Sequence, residues 1–443
     1  MTLISGGMVN AFDPAGAAGL DDDRRSMVER RARLLGPGYK LFYDEPVHFV
    51  RAQGVYLYDA QGEEYLDVYN NVPSVGHCHP RVVEAVSRQL GILNTHTRYL
   101  HDSILDYAEQ LLATFPAEIG HVMFTCTGSE ASDLAMRIAR HVTGGSGFIV
   151  TANAYHGHTI AVSQVSPSMG EHVPLGVHTR VVPAPDAYRS EGDLGAVFAA
   201  QVEAAIADMR RHGIRFAGFL ADSLFSSDGI LPGPAGFLKP VAEVVRKHGG
   251  LYIADEVQPG FARTGDAMWG FQRHGITPDL VTMGKPMGNG IPIGGVAARP
   301  ELLEDFGRNT RYFNTFGGSP ICIAAAQAVL DVIRDEKLQE NSRIVGRAML
   351  DGIQALAEKH SSIGDVRGAG LFVGVDFVRD RATREPDAAL GLKVVNRLRQ
   401  KRVLISASGR EGNVLKIRPP LPFSLADNDR FLGLLAETLA ELA

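Results

Sequence analysis

Cysteine is scarce in this chain. Its three cysteines (Cys78, Cys126, Cys322) are odd in number and far apart, which excludes a disulfide framework and points to a reducing compartment. A basic excess is also missing. With a net charge of −6 and 21% charged residues, no surplus of cations is available to neutralise nucleic-acid phosphates. No run approaches the roughly 18 consecutive apolar residues of a membrane span. The N-terminus lacks the charged stretch and apolar run of a secretory signal. The expectation is a cytoplasmic protein with no nucleic-acid or membrane partner. No repeats or low-complexity linkers interrupt it. What is plentiful is hydrophobic residues (45%) and glycine (49 in 443 residues), the composition of a loop-rich globular chain of about two or three domains.

From residue 120 to about 300, strands and helices alternate. HVMFTCTG (121–128) is strand-like and runs into the helical EASDLAMRIARHV (130–142). FIVTANAYHG (148–157), TRVVPAP (179–185) and FAGFLADSL (216–224) read as further strands. Residues 193–213 and 237–250 carry apolar positions at helical spacing and end in glycine. Repeated βα units imply a mostly parallel sheet flanked by helices, an α/β fold. The flanks differ. GVYLYDAQGEEYLDVYNN (54–71) predicts an antiparallel hairpin turning at 60–62, and DDDRRSMVERRARLLGPG (21–38) a short capped helix. In the tail, 367–378, 401–408 and 413–420 read as strands between helical stretches. We expect a large domain over 75–330 and a smaller α+β domain built from 1–74 and 331–443.

The chemistry concentrates at two strand ends. Leu251 to Ala254 read as a buried strand ending at Asp255, and Leu280 to Met283 as a second strand leading to Lys285. Open α/β sheets bind ligands at such ends. An amine held near a buried carboxylate suits a Schiff-base cofactor, the lysine carrying the aldehyde and the carboxylate keeping a pyridine nitrogen protonated. A structural salt bridge is the plainer reading. Thr127, Gly128 and Ser129 open a helix directly after a strand, a ready anion site, or else a simple cap with Ser129 at the N-cap. In NAYHGH (153–158), Tyr155 could lie on a planar ring and His156 shape the turn beside it. Asn314 and Thr315 precede another helix and could complete a phosphate cup. HCHP (77–80) has no second cluster at zinc spacing, so no metal is expected. GNGIPIG (288–294) lacks the helix of a dinucleotide fingerprint, and GKP (284–286) lacks the Ser/Thr of a phosphate-binding loop.

Together IADEVQPGFARTG, the lysine run, TGSEA, NAYHGH and NTFGGSP resemble the class III (ω-amino) aminotransferase family of pyridoxal-phosphate enzymes, from about residue 38 to the end. The resemblance implies fold type I, a homodimer with shared active sites, and pyridoxal 5'-phosphate. It implies that Lys285 binds the cofactor covalently and moves the Cα proton, Asp255 pairs the pyridinium nitrogen, and Gln258 bonds the ring hydroxyl. Gly128 and Ser129 would hold the phosphate with Thr315 of a second copy, and Tyr155 would stack on the ring. Asp222 stands where the family usually has Glu. YNNVPSVGHCHP (69–80), NTHTRYLH (94–101), VTMGKPMGNG (281–290) and SASGREGNVLKIRPP (406–420) are similar to the branch holding ethanolamine-phosphate phospho-lyases and alanine–glyoxylate aminotransferase 2. The expected reaction is elimination of phosphate from O-phosphoethanolamine, and the alternative is an ω-aminotransferase acting on an amine and a keto acid. Asn70, Asn71, Arg98, Arg410 and Lys416 are the residues expected to line a pocket for the substrate tail. Arg410 would be the carboxylate partner under the alternative.

Overall fold

A computed structural model describes residues 8–442. At its centre lies a seven-stranded sheet. Its strands are β1 (His121–Thr125), β2 (Gly147–Thr151), β3 (Thr179–Val182), β4 (Phe216–Asp222), β5 (Leu251–Asp255), β6 (Leu280–Met283) and β7 (Gly294–Ala298). Their order is β1-β7-β6-β5-β4-β2-β3. Neighbours from β6 through β3 are parallel, and β7 runs antiparallel to both β1 and β6.

Alternation along these strands sorts side chains onto two cores. On one face Phe148, Val150, Leu220, Ile253 and Leu280 meet helix α1 (Gly128–Thr143) through Ala131, Leu134, Ala135 and Ile138. On the other, Ile149, Phe219, Tyr252 and Val281 meet α2 (Leu194–Arg211), α3 (Lys239–Lys247) and α4 (Pro320–Asp335). Because both faces are covered, the strands read as near-continuous apolar runs. This second face's core continues to Leu338, past residue 330.

A further core joins the two ends of the chain. Tyr65, Leu66 and Val68 pack with Val345, Phe377, Val403, Leu415 and Phe431. The expected hairpin pairs Tyr56–Asp59 with Glu64–Asp67, and Val403–Leu404 adds to it in parallel, Val403 opposite Leu66. A second sheet carries Ile363–Gly368, Val373–Asp380, Val414–Ile417 and Ser406–Ser408. The stretch 367–378, read as one strand, is thus two: the chain reverses at Gly370, whose φ of +55° an L-residue rarely adopts. No helix among the described residues is long and apolar enough to cross a membrane.

Candidate active site

Parallel β4, β5 and β6 place Asp222 opposite Asp255 and Asp255 opposite Thr282, so their carboxyl ends lie level. Lys285 follows two residues beyond β6. At this edge is a cavity of about 200 Å³ lined by Gly128, Ser129, Tyr155, His156, Asp255 and Lys285, among others. The carboxylate and amine expected from the sequence therefore meet in one cavity.

Asp255 is buried. His156 Nδ1 lies 2.6 Å from its Oδ2, and the backbone N–H of Val257 donates to Oδ1 at 3.1 Å. The adjacent Glu256 faces away from this chemistry: it accepts from Ser223 Oγ at 2.5 Å and from the N–H groups of Gly270 and Phe271 at 2.7 and 2.9 Å. Only one carboxylate of the acidic pair therefore serves the cavity. The other clamps a loop. Burial pushes Glu256 up to about 7.

Lys285 is partly covered as a residue and makes no hydrogen bond or ion pair among the described residues. Desolvation of its amine, followed by the charge of Arg418, pulls it down to about 8, against the opposite pull of Asp255 and Asp222. Asp222 itself does not line the cavity. Its Oδ1 accepts from the Leu224 N–H at 2.8 Å, and burial, then Asp255, raises its carboxyl. It acts on the site through its field.

The cup at the start of α1 is built by close approaches. Thr127, rather than Ser129, is the N-cap: its hydroxyl accepts from the Glu130 N–H at 3.1 Å. Gly128 and Ser129 lie in the first turn, whose N–H groups have no intrahelical acceptors. A Cβ on Gly128 would meet Val257 Cγ2 at 2.9 Å, and one on Gly157 (φ +140°) would meet Ser129 Oγ at 2.6 Å and its Cα at 2.8 Å. Gly157→Ala should therefore push the His156–His158 turn off the cup. We expect cofactor retention to weaken by roughly tenfold or more, read by absorbance titration of the purified variant. Unchanged retention would show that the turn does not shape the cup.

Tyr155 lines the cavity, and burial followed by Asp255 raises its phenol. Thr315 is exposed and does not line the cavity of its own chain. Beside it Asn314 Nδ2 donates to Glu130 Oε2 at 2.8 Å. Among the expected tail residues, Lys416 is buried with its Nζ 3.3 Å from the Ser226 carbonyl. Asn70 is tied to Asp67 by its backbone and side chain, at 2.9 and 3.0 Å. Asn71 is buried with neither amide atom hydrogen-bonded. Arg98 lies over the Phe313 ring at 3.7 Å, in the exposed 97–105 region. Arg410 is not brought in: its side chain is 79% exposed, with Glu411 at 3.7 Å.

One residue of the site is not singled out by the sequence motifs. Arg418 is 6% exposed, donates from Nε to the Tyr69 carbonyl at 3.1 Å and from Nη1 to Gln258 Oε1, and lies over the Tyr69 ring. The signal was present in sequence: 416 and 418 are two apart on one extended run, hence on one face.

The residues fit pyridoxal phosphate on structural grounds. The cup has two glycines where side chains would intrude, His156 Nε2 is buried without a partner, and Lys285 stands unpaired. Comparison with known proteins agrees. The class III aminotransferase model matches residues 42–439. An "alanine–glyoxylate aminotransferase 2-like" protein of Drosophila melanogaster is 41% identical, over 91% of this chain and 85% of its own. "Ethanolamine-phosphate phospho-lyase homolog 1" of Caenorhabditis elegans is 40% identical over 96% and 95%. A phospholyase from Arthrobacter, solved in complex with phosphoethanolamine, superposes with a TM-score of 0.91 at 44% identity, covering 94% of this chain and 100% of that one. The fold is that of the fold type I enzymes, and the cofactor is pyridoxal phosphate, as in PLP-bound transaminases of the same fold. This chain belongs to the class III aminotransferase family of pyridoxal-phosphate enzymes.

Proposed function

We propose that this enzyme eliminates phosphate from O-phosphoethanolamine, giving acetaldehyde, ammonia and inorganic phosphate. The observation that carries the reading is a pair of buried cations, Lys416 and Arg418, with no ion-pair partner within 4.0 Å among the described residues. Buried charges are costly unless paired. After burial, the charge of Arg418 disfavours the protonated form of both Lys416 and Lys285, so the cluster calls for an anionic ligand, and a phosphate is a doubly charged one. The phosphoethanolamine complex of the Arthrobacter phospholyase and the name of the nematode relative support the same choice.

Bound pyridoxal phosphate supplies the electron sink that acidifies the amine-bearing carbon. The N–H groups of Gly128 and Ser129 would hold its phosphate, with Thr315 of a second copy of the chain. Asp255, oriented by His156, would keep the pyridine nitrogen protonated. Gln258 would meet the ring hydroxyl, and Tyr155 would cover the ring. Lys285 Nζ takes the proton from the amine-bearing carbon. The freed pair forms a carbon–carbon double bond as the neighbouring carbon–oxygen bond breaks, and phosphate leaves with that bond's electrons toward Lys416. Water then hydrolyses the released enamine to acetaldehyde and ammonia. Asn71, buried with neither amide atom hydrogen-bonded, is left free to meet the substrate tail.

Purified protein, pyridoxal phosphate and phosphoethanolamine should release phosphate and acetaldehyde in equal amounts with no keto acid present. Amine transfer that requires a keto acid, without phosphate release, would reject the lyase in favour of the transaminase. Arg410, the carboxylate partner expected under that alternative, lies out in solvent.

A further inference from the structure

Gln258 touches two worlds. It lines the cavity beside Asp255 and Lys285, and its Oε1 accepts from Arg418 Nη1. A guanidinium has only donors, so the amide atom that faces it must be the oxygen. The Gln258 NH2 group is then the part left for the cavity. We propose that Arg418 is a positioning residue that fixes the Gln258 amide, so that its NH2 group donates to the ring-hydroxyl oxygen of bound pyridoxal phosphate.

Arg418 is held for this task from several sides. Its backbone N–H donates to the Val68 carbonyl at 2.9 Å, its Nε to the Tyr69 carbonyl at 3.1 Å, and the Tyr69 ring lies 4.8 Å from the guanidinium carbon. No carboxylate lies within ion-pair distance among the described residues, so its charge is not cancelled locally. A cation on the carbonyl side of an amide polarises it and makes its N–H a stronger donor. An anionic ring oxygen gains from both the donor and the charge behind it. Freed from Arg418, the amide could flip and turn its carbonyl on that oxygen. The charge also reaches Lys285, whose amine Arg418 disfavours in its protonated form.

The inference rests on Gln258 facing the ring hydroxyl, and it is independent of whether the tail is a phosphate. The test is a double-mutant cycle on the holoenzyme with Arg418→Met, Gln258→Ala and their combination, with Arg418→Lys as the conservative variant. Cofactor dissociation and the pH at which the bound cofactor's visible absorbance changes are both read. Arg418→Met should weaken cofactor binding about tenfold when Gln258 is present and less than about twofold when it is alanine. The absorbance change should move to higher pH by about one unit, less in the alanine background, and Arg418→Lys should restore part of both. Equal losses in both backgrounds, or a lowered melting temperature with no change in the absorbance profile, would make Arg418 a mere strut and overturn the proposal. If Gln258→Ala alone leaves cofactor binding unchanged, the placement of Gln258 falls, and the proposal with it. Neither result decides the reaction, which the release of phosphate and acetaldehyde by the native protein measures separately.

Discussion

Lys285→Ala should abolish turnover, lowering phosphate release by roughly four orders of magnitude or more, because in the proposed mechanism one side chain is both the covalent anchor and the base. Its surroundings prepare it for both roles. Desolvation and the neighbouring Arg418 charge bring the amine to about 8, so an appreciable unprotonated fraction exists near neutrality. These are the two ways in which lysine nucleophiles are activated. The cup at Gly128 and Ser129 is untouched by the substitution, so the variant should still take up cofactor, though not covalently. Borohydride reduction followed by mass measurement should leave the cofactor attached to the native chain and absent from the variant. A variant that keeps a covalent adduct, or that still releases phosphate, would move the chemistry to another residue and remove the basis of the mechanism.

Lys416→Met should separate stability from activity. The ammonium is buried, with a single neutral carbonyl at 3.3 Å, and methionine fills similar space without charge. Loss of a desolvated cation that meets a charged ligand costs about 2–5 kcal/mol, so kcat/KM for phosphoethanolamine should drop by roughly 30-fold to several thousand-fold. Ligand-free protein should melt at a higher temperature, since an unpaired buried charge is replaced by an apolar side chain. The pH dependence follows from direction alone. Burial first, then Arg418, with Lys285 adding to them against Asp222, holds Lys416 well below its usual value of 10.5. The unfolded chain therefore binds this proton more tightly than the folded one, and stability rises with pH across that interval. The melting advantage of the variant should be largest at low pH and shrink as pH climbs through that interval toward 10.5. Unchanged turnover would remove Lys416 from the tail pocket, and a lower melting temperature at neutral pH would mean that the lysine is paired.

Much of the central layer was legible because its code is local. The runs Leu251–Asp255 and Leu280–Met283 are short, apolar and bounded by glycine or charge, and the structure ends both strands where the pattern does. The motif residues that meet in the cavity were legible for the same reason: each follows a strand directly, and parallel neighbours bring their ends level. Less visible were features fixed by distant partners. Arg418 reads as a surface cation ahead of two prolines until Tyr69 and Gln258 close over it. Asp255 and Glu256 are chemically alike in sequence. Strand direction sends them to opposite sides, one to the cavity and one to the Ser223–Gly270 loop. Arg410 suggests itself by type and neighbours, but its loop holds the guanidinium out in water.

The parallel pairing of Val403–Leu404 with Glu64–Asp67 has a consequence for how the molecule comes into being. Contacts more than three hundred residues apart close slowly, because much chain entropy is lost before they form. During synthesis the early hairpin leaves the ribosome with an open edge and must wait for almost the whole polypeptide before its last strand arrives. The βα layer between them can settle first, so the cup at Gly128 and Ser129 forms before Arg418 arrives at Gln258.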